Sequence, residues 1–208
     1  MATFESPVPQ GGSADLREAC RFFVKEGPIW DAIRAVTARL SELKIAYAVV
    51  GGMALNAHGY VRMTVDLDIL VDPAGLAKIH RELEHMGCVA RSQGSKLLSH
   101  VGTQVRIDFL VAGQFPGDGR PKPVAFPSPE EAVVELDGIR YLTLPNLIEL
   151  KLASGISNPG RLRDLGDVQE MIRVLKLPSN FADQLNEYVR AKYHELWEGV
   201  AADIVERD

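Results

Sequence analysis

The chain is 208 residues long, 46% hydrophobic and 25% charged, with a formal net charge of -5 at neutral pH. Those values match an ordinary soluble protein large enough to bury a core, and no apolar run approaches the roughly 20 residues that a helix needs to cross a bilayer, so no membrane is implied. The negative balance argues against a long nucleic acid as main partner, because such affinity comes mostly from phosphate neutralisation, and Cys20 and Cys88 are too few for a disulfide framework or a cysteine-based zinc site.

Residues 1 to 13 are rich in Pro, Gly and Ser without periodic apolar positions and are expected to be mobile or to lie over the surface. They lack a basic start and an apolar stretch of secretory type, so a cytoplasmic location is expected. Asp15 to Lys25 and Pro28 to Leu43 read as helices. In the second, Ile29, Ile33, Val36, Leu40 and Leu43 recur at three- and four-residue spacing, and Pro28 suits a first turn. Tyr47 to Val50 reads as a short buried strand and Gly51-Gly52 as a tight turn. Met53 to His58 follows as a helix whose first amides lack intrahelical partners and attract anions.

From Thr64 to Asp72 apolar and polar residues alternate as on a strand, so Asp66 and Asp68 project from one face, roughly 6–7 Å apart along it. Two like charges so close attract a cation, although the same alternation also describes the solvated face of an amphipathic strand. Pro73 to Met86 reads as a helix stopped by Gly87, with Asp72 as its cap. Lys96 to Val101 and Gln104 to Val111 form a hairpin around Gly102-Thr103. In its second strand Arg106, Asp108 and Leu110 share a face, so a third acid stands on a strand able to pair beside the first.

Residues 112 to 129 hold five prolines and three glycines, an irregular connection that is either a flap or a surface loop. Val133 to Leu136 and Ile139 to Leu142 make a second hairpin around Asp137-Gly138. Pro145 to Ser154, Asp164 to Leu175 and Asn180 to Val205 read as helices. The last carries an apolar stripe of Phe181, Leu185, Tyr188, Val189, Leu196, Val200 and Ile204, suited to packing on the preceding helices or to a partner. Lys151, Arg161, Arg163 and Arg173 are candidates for a local basic groove, or for solvated helix charges.

The order glycine pair, short helix, Arg62-Met63-Thr64, Asp66-Leu67-Asp68 and then Asp108 resembles the nucleotidyltransferase superfamily of DNA polymerase beta-like fold. The wording GGMALNAHGYVRMTVDLDILV is most similar to its small prokaryotic branch, which includes type IV toxin nucleotidyltransferases. The likeness covers residues 45 to 111, with the helical tail in support. The expected fold is α/β (α+β): a small mixed twisted sheet flanked by helices, with a helical C-terminal part. A flexible N-terminus at 1–14, a catalytic domain at 15–142 and a helical region at 143–208 that closes the cleft are expected.

The resemblance implies that Asp66, Asp68 and Asp108 hold magnesium, as one or two ions with manganese as a substitute, against a nucleoside triphosphate such as ATP. It makes Asp108 the base that takes the proton of an acceptor hydroxyl. Gly51 and Gly52 would let the backbone approach the triphosphate, where many relatives carry Ser at the second position, and Arg62 and Thr64 would line the site. LIELKLASG followed by RLRDLGDV resembles the region in which Lys151 neutralises triphosphate charge and Arg163 and Asp164 complete the nucleotide side. Asp164 equally suits an N-cap, Arg62 a surface ion pair and His58 a structural helix end.

The implied activity is transfer of a nucleoside monophosphate from the triphosphate to a hydroxyl of a tRNA, protein or small molecule, with pyrophosphate leaving. An antitoxin protein and a homodimer are the implied partners. The alternatives are a catalytically silent nucleotide-binding module or a partner-regulated one of the same fold.

Overall fold

The computed structural model describes residues 21–23, 25–82, 86–90, 92 and 94–205. The expected helix over 15–25 therefore falls largely outside the described residues, as do Cys20 and the expected mobile start; residues 21–23 are helical.

Helix α1, Pro28–Glu42, forms where proline opens the first turn, and its buried face is Ile29, Ile33, Val36 and Leu40. Strand β1, Tyr47–Val49, and helix α2, Gly51–Ala57, follow. The glycine pair is thus the first turn of α2, where a separate tight turn was expected. Strand β2 runs Asp66–Val71 and helix α3 Pro73–Arg81, capped by Asp72, whose carboxylate accepts from the Gly75 amide as the sequence predicts. The expected end of α3 at Met86 lies partly outside the described residues, and Glu82 serves as its C-cap.

Strands β3 (Cys88–Ala90), β4 (Leu97–His100), β5 (Arg106–Val111), β6 (Val133–Leu136) and β7 (Ile139–Leu142) complete a seven-stranded sheet in the order β3-β4-β5-β2-β1-β7-β6. β2 runs parallel to β5 and β1 to β7, while the other pairs are antiparallel, so the sheet is mixed as expected. Strand β3 was not anticipated.

Helices α4 (Leu144–Ser157) and α5 (Leu162–Leu175) flank a 3-10 turn at Pro159–Arg161. The expected single last helix divides into a 3-10 segment, Ser179–Gln184, and α6, Glu187–Val205. At the break the Asn186 side-chain oxygen accepts from the Tyr188 amide at 3.0 Å while the Asn186 backbone amide donates to Glu149 Oε2 at 2.6 Å. Most of the apolar stripe lies inside the protein: Phe181, Leu185, Val189 and Val200 are buried in the same core as the sheet and α4. Leu196 packs against that core, and Tyr188 is exposed. Packing, not a partner, therefore accounts for these residues. No helix among the described residues is long and apolar enough to cross a membrane.

Candidate active site

Strand alternation carries the acids outward. On β2 Leu67 and Ile69 are fully buried, and on β5 Ile107 and Phe109 are, which leaves Asp66, Asp68 and Asp108 on the opposite face of the sheet. The parallel register sets Asp68 directly across from Asp108, and Asp66 across from Arg106. The two members of that second pair meet, with Arg106 donating to Asp66 Oδ2 at 2.7 Å. Among the described residues no group of three or more His, Cys, Asp or Glu side chains is arranged to hold a metal ion. The three expected acids line one cleft, Asp68 and Asp108 level with each other across the strands and Asp66 paired with Arg106.

Burial raises the Asp68 carboxyl to about 6, and the neighbouring charges of Asp108 and Asp66 add to it against the opposing Lys151. Asp108 is raised as well, first by burial, with Arg106 and Lys96 opposing. A largely desolvated carboxylate beside a half-desolvated one that repels it fits a hard divalent cation, whose charge would relieve both the desolvation and the repulsion. Asp66 could join them on release from Arg106, a surface pair that costs little to break.

Gly51 touches this pair. It has a φ of +57°, and a Cβ built on it would stand 1.9 Å from Asp68 Oδ2, so only glycine lets the backbone lie against the carboxylate. A Cβ on Gly52 would stand 2.7 Å from the Thr64 Cβ and 2.8 Å from its Oγ1. The hydroxyl in the space beside Gly52 is therefore that of Thr64, and a serine at position 52 has no room. Asn56, which the sequence reading passed over, fixes this geometry. Its side-chain amide donates to the carbonyls of Gly52 and Arg62 at 2.8 and 2.9 Å and its oxygen accepts from the Arg62 amide at 2.9 Å.

Opposite the acids stand α4 and α5. Lys151 is buried, and its ammonium donates to Asp164 Oδ1 at 2.9 Å and to Asp167 Oδ2 at 2.7 Å. Asp167 also holds Arg62, whose Nε lies 2.9 Å from Oδ1. Asp164 accepts from the Ser154 hydroxyl at 2.7 Å. Burial opposes its ionisation, but the Lys151 charge and the hydrogen bonds of Ser154 and Lys151 outweigh that and lower its carboxyl. Asp164 lies within the first turn of α5, whose N-cap position is Arg161, so the capping reading is set aside. Arg62 pairs with a buried acid, not the surface acid that was weighed for it. Asp167 was missed, although its place three residues after Asp164 puts both on one side of a helix.

Two other expectations are resolved by their surroundings. His58 Nε2 lies 2.7 Å from the Leu142 carbonyl, a bond that ties the end of α2 to β7 and makes its role structural, while burial lowers its pKa against that bond. Arg173 pairs with Glu170 and Asp203 and does not line the cleft.

The cleft has two lobes that share Gly51, Asp68, Asp108, Lys151, Arg161 and Asp164. The polar lobe, about 620 Å³, adds Gly52, Arg62, Thr64, Asp66, Arg106 and Arg163. The apolar lobe, about 130 Å³, adds Val50, Leu110, Pro116, Phe126, Leu147 and Leu150. Its outer wall is the 112–129 connection, which is tied down: Lys122 donates to the Ser157 hydroxyl at 2.9 Å and to the Pro116 carbonyl, and Asn158 donates to the Gly117 carbonyl at 3.3 Å. A separate groove of about 470 Å³ beside Trp30, Arg34, Asp137 and Tyr141 shares no residue with the cleft.

No protein-family model and no curated protein matches the chain. Among solved structures it is similar to JHP933 from Helicobacter pylori, at 12% identity over 94% of this chain and 95% of that one, with a TM-score of 0.49. It is also similar to the antibiotic-resistance factor ANT(2'')-Ia, at 13% identity over 85% of this chain and 92% of that one, with a TM-score of 0.44. A third likeness is to the Megavirus polyadenylate synthase, at 15% identity over 86% of this chain and 40% of that one, with a TM-score of 0.39. With each of these TM-scores under 0.5, what the protein does has to be read from its own side chains.

Proposed function

We propose that the protein is a nucleotidyltransferase that moves a nucleoside monophosphate from a nucleoside triphosphate to an acceptor hydroxyl and releases pyrophosphate. The observation that carries this reading is the Asp68–Asp108 pair, side by side on neighbouring parallel strands with the Gly51 backbone pressed against Asp68. Acids so placed would hold magnesium, or manganese in its stead, with Asp66 as a further ligand. Such an ion would supply neutralisation of the charge on the phosphates during transfer.

The chain's own groups divide the remaining work. Gly51 and Gly52 line the polar lobe, where the cations gather, so the triphosphate tail fits there. The acceptor oxygen attacks the α-phosphorus as the bond to pyrophosphate breaks, in line and from the opposite side. That side is the apolar lobe, whose small volume suits a slim acceptor group from a tRNA end, a protein side chain or a small molecule. Asp108 takes the proton released from the acceptor hydroxyl, and its raised pKa suits a base that must also give the proton up. Thr64 and Asn56 position the glycine turn.

The test is pyrophosphate release from ATP, GTP, CTP and UTP with magnesium, for wild type, Asp68→Asn and Asp108→Asn. Release by wild type that falls by orders of magnitude in both variants is expected. A folded Asp68→Asn protein with full turnover overturns the reading. Magnesium-dependent nucleotide binding without release, whatever acceptor is supplied, favours the silent module instead. Its structural ground is the ion pair that occupies Asp66 with Arg106.

A further inference from the structure

The cations of the cleft divide by whether they already have a carboxylate. Arg62 and Lys151 face Asp164 and Asp167, two charges against two, and Arg106 faces Asp66. Arg161 and Arg163 line the cleft exposed, and among the described residues neither makes a salt bridge or a side-chain hydrogen bond. Arg161 alone of these two borders both lobes, together with Asp68 and Asp108.

We propose that Arg161, with Arg163 beside it, binds the polyphosphate of the nucleotide, and that Lys151 is a positioning residue which holds Asp164 and Asp167. The proposal rests on the nucleotidyl-transfer reading and departs from what the resemblance assigns to Lys151. To reach a phosphate, Lys151 would have to leave two largely buried carboxylates without their ammonium, which is strongly unfavourable. Arg161 gives up no ion pair.

The backbone under Arg161 is fixed while its side chain is free. The Arg161 amide donates to the Asn158 carbonyl and the Gly160 amide to Asn158 Oδ1, each at 2.9 Å, and Asn158 is itself bonded to the tied 112–129 connection. A guanidinium on such a turn needs no reorganisation of the chain to meet a phosphate with two parallel donors. Its place at the junction of the lobes is where the bond between the α-phosphorus and the departing pyrophosphate would break. Charge that develops on the leaving oxygen would meet a donor already in position. Gly51 and Gly52 line the same lobe, so a polyphosphate would lie between the glycine turn and two arginines.

The test is calorimetric titration of the full chain with inorganic tripolyphosphate, with and without magnesium, for wild type, Arg161→Gln, Arg161→Lys, Arg163→Gln and Arg173→Gln. Loss of a charge-assisted contact predicts affinity weakened roughly tenfold or more in Arg161→Gln and less in Arg163→Gln, with partial recovery in Arg161→Lys. Arg173→Gln, which removes the same charge outside the cleft, is expected to bind as wild type, and all four melting temperatures are expected to hold. With a nucleoside triphosphate as substrate, Arg161→Gln is expected to raise KM and lower kcat. Wild-type affinity in Arg161→Gln, with wild-type pyrophosphate release intact, overturns the arginine assignment and leaves the transfer reading standing. Equal losses in Arg161→Gln and Arg173→Gln overturn it too, since bulk charge would then be the cause. A wild type that neither binds tripolyphosphate nor releases pyrophosphate overturns both.

Discussion

Asp68 sits opposite Asp108 on the neighbouring parallel strand, and the amide of Val50 donates to the Asp68 carbonyl at 2.9 Å, so one residue joins the acid pair to the start of α2. That placement keeps the Asp68 carboxylate largely out of water beside a second acid. Its pKa of about 6 lies above the ordinary value of 3.8.

Stability is therefore expected to fall as pH rises. Between the two pKa values the folded protein binds more protons than the unfolded chain, so unfolding becomes easier as pH climbs through about 4 to 6 and stays easier above. The ionised group costs on the order of 3 kcal/mol at neutral pH without metal. Melting curves from pH 4.5 to 7.5 in a chelator should show a declining Tm. Asp68→Asn should flatten the decline and be the more stable protein at pH 7. A Tm that rises over this range for wild type alone would contradict the arrangement.

Gly51→Ala and Gly166→Ala are expected to act in opposite directions. At position 51 the left-handed backbone costs about 1–3 kcal/mol, and the new methyl must also displace the Asp68 carboxylate. Magnesium-dependent nucleotide binding should disappear with the loss of stability. Gly166 lies in α5 with nothing within 4 Å of a built Cβ, so alanine there should stabilise by about 0.5–1 kcal/mol. Urea unfolding of both variants measures the contrast.

Lys151→Met should destabilise the protein by about 3–5 kcal/mol, because it strips the ammonium from Asp164 and Asp167. The double variant Lys151→Met/Asp167→Asn should recover part of that loss. If Lys151→Met keeps its Tm and loses only nucleotide affinity, the lysine belongs to the ligand rather than to the scaffold.

Lys122→Ala should loosen the outer wall of the apolar lobe without touching the acids. Hydrogen exchange is the readout: amides of residues 112 to 129 should exchange faster, while those of β2 and β5 keep their protection.

Much of the acid-bearing half was legible because strand alternation is a strict period of two, so the shared face of Asp66 and Asp68, and that of Asp108, followed without knowledge of the partner strands. The register did not follow. That β2 lies parallel to β5 with Asp68 level with Asp108 is decided by packing between distant segments. Strand β3 was missed because three residues, with Val89 at 56% exposure, offer no pattern to read. The break before α6 was hidden because Phe181, Leu185 and Val189 keep helical spacing straight across it. The pairing of Lys151 was illegible for another reason: charge chemistry names a cation but not whether a buried acid has already claimed it.

The ion pair that Arg62 makes with Asp167 crosses from the segment before β2 to the helical tail, and the core is continuous over the same division. The expected boundary near residue 142 is consequently no place to cut. A graft that exchanged the tail of this protein for another, in the hope of changing the proposed acceptor, would orphan Arg62 in the sheet half and remove both proposed phosphate arginines. Donor and acceptor recognition would then have to change together, which makes substitutions in the walls of the apolar lobe the shorter route to a new specificity.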